Sequence, residues 1–258
     1  MIETHETYSL SIVFFLVLCL YSALEVISLR RIRFVRILLA GGHGPEARAP
    51  SHLPDKQMRA APIFIAFGSA LSFFASEQVL TISAATALLV GNLLMFNGMR
   101  FGQEGADHIR LYAGVFFFVS SIWSLVEPEQ AKRIFLLLVA ALTVGFYFGS
   151  ALVKAVEPSW WSGEGLIRAL STNLYGHQVL LSLLCAVPNA ARFLSVGLIL
   201  WELTFPLAIF LAGKYVLAWM VVGLVFHLSV AIFMRLPLFL LSVGVMYPAT
   251  YWTSLSLY

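Results

Sequence analysis

Phe146–Gly165 reads FYFGSALVKAVEPSWWSGEG, and this stretch decides the fold. A long apolar run ends on a lysine, Lys154, where hydrocarbon gives way to headgroups. The run breaks at Glu157-Pro158, because the residue before a proline is pushed out of helical backbone. An aromatic pair, Trp160-Trp161, and two glycines follow. Tryptophans just beyond an apolar run mark the interface level of a bilayer. The stretch therefore reads as the end of a membrane-spanning helix followed by a region that does not span.

Composition outside this stretch agrees. The chain has 258 residues, 60% hydrophobic and 11% charged, whereas a soluble domain carries about a quarter charged residues. Lipid is thus the solvent for most of the surface. About 20 apolar residues cross a bilayer, so roughly seven or eight spans fit this length with short loops. No stretch is left for a soluble catalytic domain, and nucleic acid is not an expected partner. Cys19 and Cys185 stand far apart in apolar runs, which argues against thiol–disulfide chemistry. The first apolar run is too long for a signal-peptide core and follows acidic Glu3 and Glu6, so a retained span is expected.

The expected fold class is an all-α polytopic membrane bundle with eight spans, forming one transmembrane domain over residues 1–258. The spans are Tyr8–Leu29, Pro62–Ala75, Val79–Met99, Leu111–Val126, Ile134–Val156, Phe193–Ala212, Tyr215–Met234 and Pro237–Thr253. The runs are continuous and twice the length of a barrel strand, so helices are the spanning form. After the fifth span come an amphipathic piece, Gly165–Leu174, and a short apolar piece, Val179–Val187. Both are expected to be interfacial or re-entrant, since exposed irregular backbone is not tolerated in lipid. No internal repeat is seen, and the unequal loops and the single re-entrant region argue against an inverted-repeat transporter. With eight spans and the Arg30–Arg59 loop inside, thirteen of the sixteen Lys and Arg residues fall on the cytoplasmic side. Only Lys132, Arg133 and Lys214 fall outside. Both termini are therefore expected outside.

Three ionisable residues lie well inside apolar runs: Glu25, Glu202 and His227. A charge at mid-bilayer costs about 2.5–3.5 kcal/mol, so such groups face the bundle interior and take partners. Pro206 has no N–H for the carbonyl of residue 202, which predicts a kink beside the Glu202 carboxylate. Glu202 lies about 15 Å along its helix from Arg192, and His227 about 12 Å from Arg235. The matched depths predict a Glu202–His227 contact, with Lys154 opening to the same cavity. Glu25 falls in the same leaflet. The same residues fit a plainer reading. In that reading Glu202 and His227 glue two helices, Glu25 pairs with a loop arginine, and Lys154 snorkels. Trp160 and Trp161 anchor the interface, and Asp107 and His108 are solvated loop residues. His43 and His52 match no metal-ligand spacing, and no metal site is expected.

Four landmarks in order resemble the horizontally transferred transmembrane domain family, related to vitamin K-dependent gamma-carboxylase. They are FNGMRFGQEGADHIRLY, ALVKAVEPSWWSGEG, LWELTFPL and FHLSVAIFMRLPLF. The resemblance covers about residues 97–258. It implies a lysine base acting on a quinone or quinol cofactor, with Lys154 as that base and His227 matching the family's histidine; the Glu202 carboxylate, with the His227 imidazole, is the expected proton relay and completes the catalytic set. Trp160, Trp161, Asn97, Arg100 and Asp107 would hold substrate or cofactor. It also implies maturation of an exported peptide or protein at a bacterial inner membrane, and the short bacterial members are similar in architecture. The chain departs from the carboxylase where Lys154 is followed by Ala155-Val156 rather than by a lysine and leucine. No stretch corresponds to the carboxylase's lumenal substrate domain. The charge count puts Lys154 on the cytoplasmic side, opposite to the carboxylase's lumenal chemistry. Two other expectations come from different classes: a non-catalytic scaffold that docks another membrane protein, and a transporter.

Overall fold

A computed structural model describes residues 4–29, 53–75, 77–98, 105–172, 176–210 and 214–257. Regular structure among them is helical throughout, with no strand. The helices are α1 (Thr4–Leu29), α2 (Leu53–Phe74), α3 (Gln78–Gly98), α4 (Gly105–Trp123), α5 (Pro128–Val156), α6 (Pro158–Ser162), α7 (Glu164–Leu170), α8 (Gln178–Ala186), α9 (Pro188–Ala208), α10 (Lys214–Phe233) and α11 (Pro237–Ser256). Six of these, α1, α3, α5, α9, α10 and α11, are long and apolar enough to cross a membrane. The chain divides into two compact units, Met1–Leu138 and Val139–Tyr258, with the boundary inside α5.

In the first unit α2 and α3 form a tight antiparallel hairpin around Glu77, whose carbonyl accepts from the Thr81 hydroxyl at 3.1 Å. Small residues set the close approach. A side chain at Gly68 would meet Leu88 at 2.8 Å and the Ala84 carbonyl at 2.9 Å. One at Gly91 would meet Ile65 at 2.7 Å and the Ala61 carbonyl at 3.1 Å. Met58, Ala61, Ile65 and Gly68 thus face Ala84, Leu88, Gly91 and Gly98. This alternation of three and four residues is the small-residue seam by which helices associate in lipid. α2 begins at Leu53 rather than at Pro62. The stretch before Pro62 is rich in helix formers, with Pro54 at the second position, where its missing N–H is harmless. Phe15 of α1 packs edge-on against Phe117 of α4, with ring centroids 6.1 Å apart.

Asp107 and His108 are helical, not loop residues, because α4 starts at Gly105. Asp107 is buried and lies 3.1 Å from the Arg110 guanidinium, which is itself 1% exposed. Neutralisation by Arg110 and a place in the first helical turn make burial of this carboxylate tolerable. Glu25 of α1 falls within electrostatic range of the same pair. The basic cluster after α1, with His43 and His52, lies outside the described residues.

In the second unit α5 ends at Val156, where the sequence places the end of the fifth apolar run. Glu157 has extended backbone, and α6, α7 and α8 are only 5, 7 and 9 residues long. At 1.5 Å per residue the longest reaches about 14 Å, half a bilayer core. These short helices bury Leu170 and Leu184 against Ala191 near the start of α9. His177 caps α8 by accepting from the Leu180 amide at 3.2 Å. Gly163, between α6 and α7, has φ 88°, and a side chain there would strike the backbone of Ala191 and Arg192. Only glycine satisfies both constraints. Pro206 lies inside α9, which ends two residues later. α10 and α11 are joined through Arg235, whose φ of 58° lies in the left-handed region.

Candidate functional site

One face of α5 builds the site. Tyr147, Ser150 and Lys154 follow one another at spacings of three and four, so they line a single stripe of the helix. Opposite them Glu202 projects from α9, 3% exposed. The Lys154 ammonium donates to both Glu202 carboxylate oxygens, at 3.0 and 2.7 Å. It also donates to the Ser150 hydroxyl, and that hydroxyl donates to Glu202 Oε1 at 3.3 Å. The ammonium stands over the Trp160 ring, 5.5 Å from its centroid. The Lys154 side chain keeps 14% exposure against 4% for Glu202. The pair is thus nearly closed, with its open side at the lysine.

His227 belongs to a second cluster two turns further into α5. Tyr147 Oη lies 2.8 Å from His227 Nε2 and 2.9 Å from Tyr247 Oη. Among the described residues His227 Nδ1, which is buried, has no hydrogen-bond partner. The Tyr147 ring packs on Trp201 and Phe205, with centroids 4.9 and 4.2 Å away. Gly223 permits this cluster, since a side chain there would collide with the Tyr247 hydroxyl and the Trp201 ring.

The expected Glu202–His227 contact is not formed. Glu202 takes Lys154 and Ser150, and His227 takes Tyr147. Residue counting sets depth along a helix but not rotation about it, and rotation turns the carboxylate toward α5. Trp160 is beside Lys154 as expected, held where the Ser195 hydroxyl donates to its carbonyl at 2.5 Å. Trp161 turns outward, 40% exposed, and its indole N–H donates to the Ala155 carbonyl at 2.8 Å. Asp107 is occupied with Arg110 in the first unit. Asn97, at the end of α3, is exposed in that same unit. Arg100 lies outside the described residues.

Sequence reasoning missed Tyr147, Ser150 and Tyr247. The first two carried a readable signal: both precede Lys154 at helical spacing. Tyr247 sits beside Pro248 in α11 and had none.

Two cavities lined by described residues bear on this unit. One, about 180 Å³, is apolar and lined by α7–α10 residues including Leu166, Leu184, Leu198 and Phe226. The other is a cleft of about 500 Å³ lined by Pro158, Trp161, Ser162, Asn189 and Arg192. Neither is lined by Lys154, Glu202 or His227. No cluster of metal-ligating side chains occurs among the described residues.

Fold and site together define an all-helical membrane protein with a buried lysine–carboxylate pair and a neighbouring phenol–imidazole cluster. Comparison with models of known families, with curated proteins and with solved structures finds no match to this chain.

Proposed function

We propose that the chain is a membrane protein of the vitamin K-dependent carboxylase-like type that takes part in the maturation of an exported peptide or protein. In this reading it crosses the bilayer eight times. α2 and α4, of 22 and 19 residues, supply the two spans beyond the six apolar ones. Their polar first turns, DKQMR and DHIR, dilute an otherwise sufficient apolar run. α6–α8 lie at the interface or re-enter from it, and both termini are outside. Lys154 is the base. Glu202 and Ser150 hold its ammonium between turnovers, and Trp160 offers an aromatic wall to a quinol-type ring.

The buried Lys154–Glu202 pair carries this reading. As a stabilising device such a pair is poor, since an apolar replacement of similar volume is commonly neutral or better. Ionisable groups kept inside a membrane helix bundle are functional sites by default. The lysine, as the more exposed partner, is the one a substrate reaches.

A second reading is favoured by the apolar groove and by the mutual neutralisation of the pair: a subunit that docks a partner and does no chemistry. Removing the pair separates the two. Lys154→Ala/Glu202→Ala strands neither charge, so the protein should reach the membrane at near-normal abundance. The carboxylase-like reading predicts that cells carrying it export unmodified product, seen by comparing masses of exported peptides with those from wild-type cells and cells lacking the chain. Normal product from the double variant would assign the chain to the scaffold class.

A further inference from the structure

We propose that the cleft between α6 and the start of α9 binds the headgroup of an anionic phospholipid. This inference stands apart from the Lys154 chemistry and holds whether or not that reading does. The two adjacent tryptophans divide between two tasks. Trp160 faces Lys154, while Trp161 lines the cleft with Pro158, Ser162, Asn189 and Arg192. At about 500 Å³ the cleft has room for a glycerophosphate group.

The cleft is built rather than incidental. Gly163 lies against the backbone of Ala191 and Arg192, and the Ser195 hydroxyl ties the Trp160 carbonyl to α9. Its two walls are therefore fixed to each other. The Trp161 N–H is already spent on the Ala155 carbonyl, so the indole offers an apolar edge. The Ser162 hydroxyl donates to the Ser159 carbonyl at 3.0 Å. The free polar capacity of the cleft is thus the Asn189 amide and the Arg192 guanidinium. Among the described residues no carboxylate stands within ion-pair distance of Arg192. Glu164, the acid nearest along the chain to Ser162, is held by Arg168 at 2.7 Å.

An uncompensated guanidinium beside an amide and an indole, where helices end, matches anionic headgroup chemistry. The guanidinium pairs a phosphodiester, the amide adds a hydrogen bond, and the indole sits at the level of the acyl esters. Basic pockets between membrane helices recognise such headgroups.

The test uses the full chain purified in neutral detergent. Binding of dihexanoyl phosphatidylglycerol, dihexanoyl phosphatidylcholine and inorganic phosphate is read by isothermal titration calorimetry, with the heat of titrating each into detergent alone subtracted. Saturable binding of phosphatidylglycerol is expected, about tenfold tighter than that of phosphatidylcholine. Arg192→Gln should weaken it by about tenfold, and Asn189→Asp, which adds a negative charge with little change of shape, by at least as much. The second variant carries the test if the first does not fold. Equal affinity for the two lipids would overturn the proposal, as would unchanged binding in both variants. Inorganic phosphate binding as tightly as phosphatidylglycerol would overturn it in favour of a free-anion site.

Discussion

Removing either member of the Lys154–Glu202 pair should destabilise the protein, and removing both should cost less than the sum. Lys154→Ala leaves a 4% exposed carboxylate with one hydroxyl donor, Ser150. Breaking a buried pair this way costs about 3–5 kcal/mol. Glu202→Ala leaves the ammonium, but that side chain is 14% exposed at the end of α5. Its stem lets it turn toward headgroups and water, so the expected loss is smaller, about 1–3 kcal/mol. Lys154→Ala/Glu202→Ala strands nothing and loses only packing, which leaves a coupling energy of at least about 1 kcal/mol. The assay is the unfolding midpoint in mixed micelles titrated with dodecyl sulfate for the wild type and the three variants, with membrane abundance as a parallel readout. Effects that add to within about 0.5 kcal/mol would mean that the two groups do not interact, and the site as described would fail.

Tyr147→Phe should cost about 1–2 kcal/mol in the same titration, because it strips both His227 Nε2 and Tyr247 Oη of their shared partner. Gly223→Ala should cost about 1–3 kcal/mol by driving a methyl group into Trp201 and the Tyr247 hydroxyl; a neutral result would show that α10 stands further off. Gly91→Leu should disrupt the α2–α3 hairpin and lower membrane abundance, whereas the same change at Gly145, which has open space around it, should not. Cysteines placed at Ser162 and Asn189 should react with a membrane-impermeant maleimide from the same side. Labelling from opposite sides would mean that α8 crosses and that the span count is wrong.

Much of this architecture was legible because lipid constrains it so strongly. Of the eight apolar runs read as spans, six fall on helices long and apolar enough to cross a membrane, and Glu157-Pro158 located the end of α5 to the residue. Polar first turns were not legible: DKQMR before Pro62 and GADHIR before Leu111 read as loops, yet both are helical. Asp107 is tolerated there because Arg110 is one turn away, a pairing that hydropathy does not register. The site was half legible. Lys154, Glu202 and Trp160 do converge. Counting residues from Arg192 and Arg235 placed Glu202 and His227 at similar depth, but each residue turns the helix by about 100° and no anchor fixed the azimuth. Tyr147 and Ser150 lie at helical spacing from Lys154, and applying that rule backward from the lysine finds both.

Lys154→Arg separates a lysine that acts through a removable proton, as proposed above, from one that acts only through its charge. Arginine keeps the positive charge and can pair Glu202 with two parallel hydrogen bonds, but it does not give up its proton in a protein. With membrane abundance matched to wild type, the masses of exported peptides should show loss of the mature product. Full maturation by Lys154→Arg would contradict the claim and leave the pair as a structural element of a docking subunit.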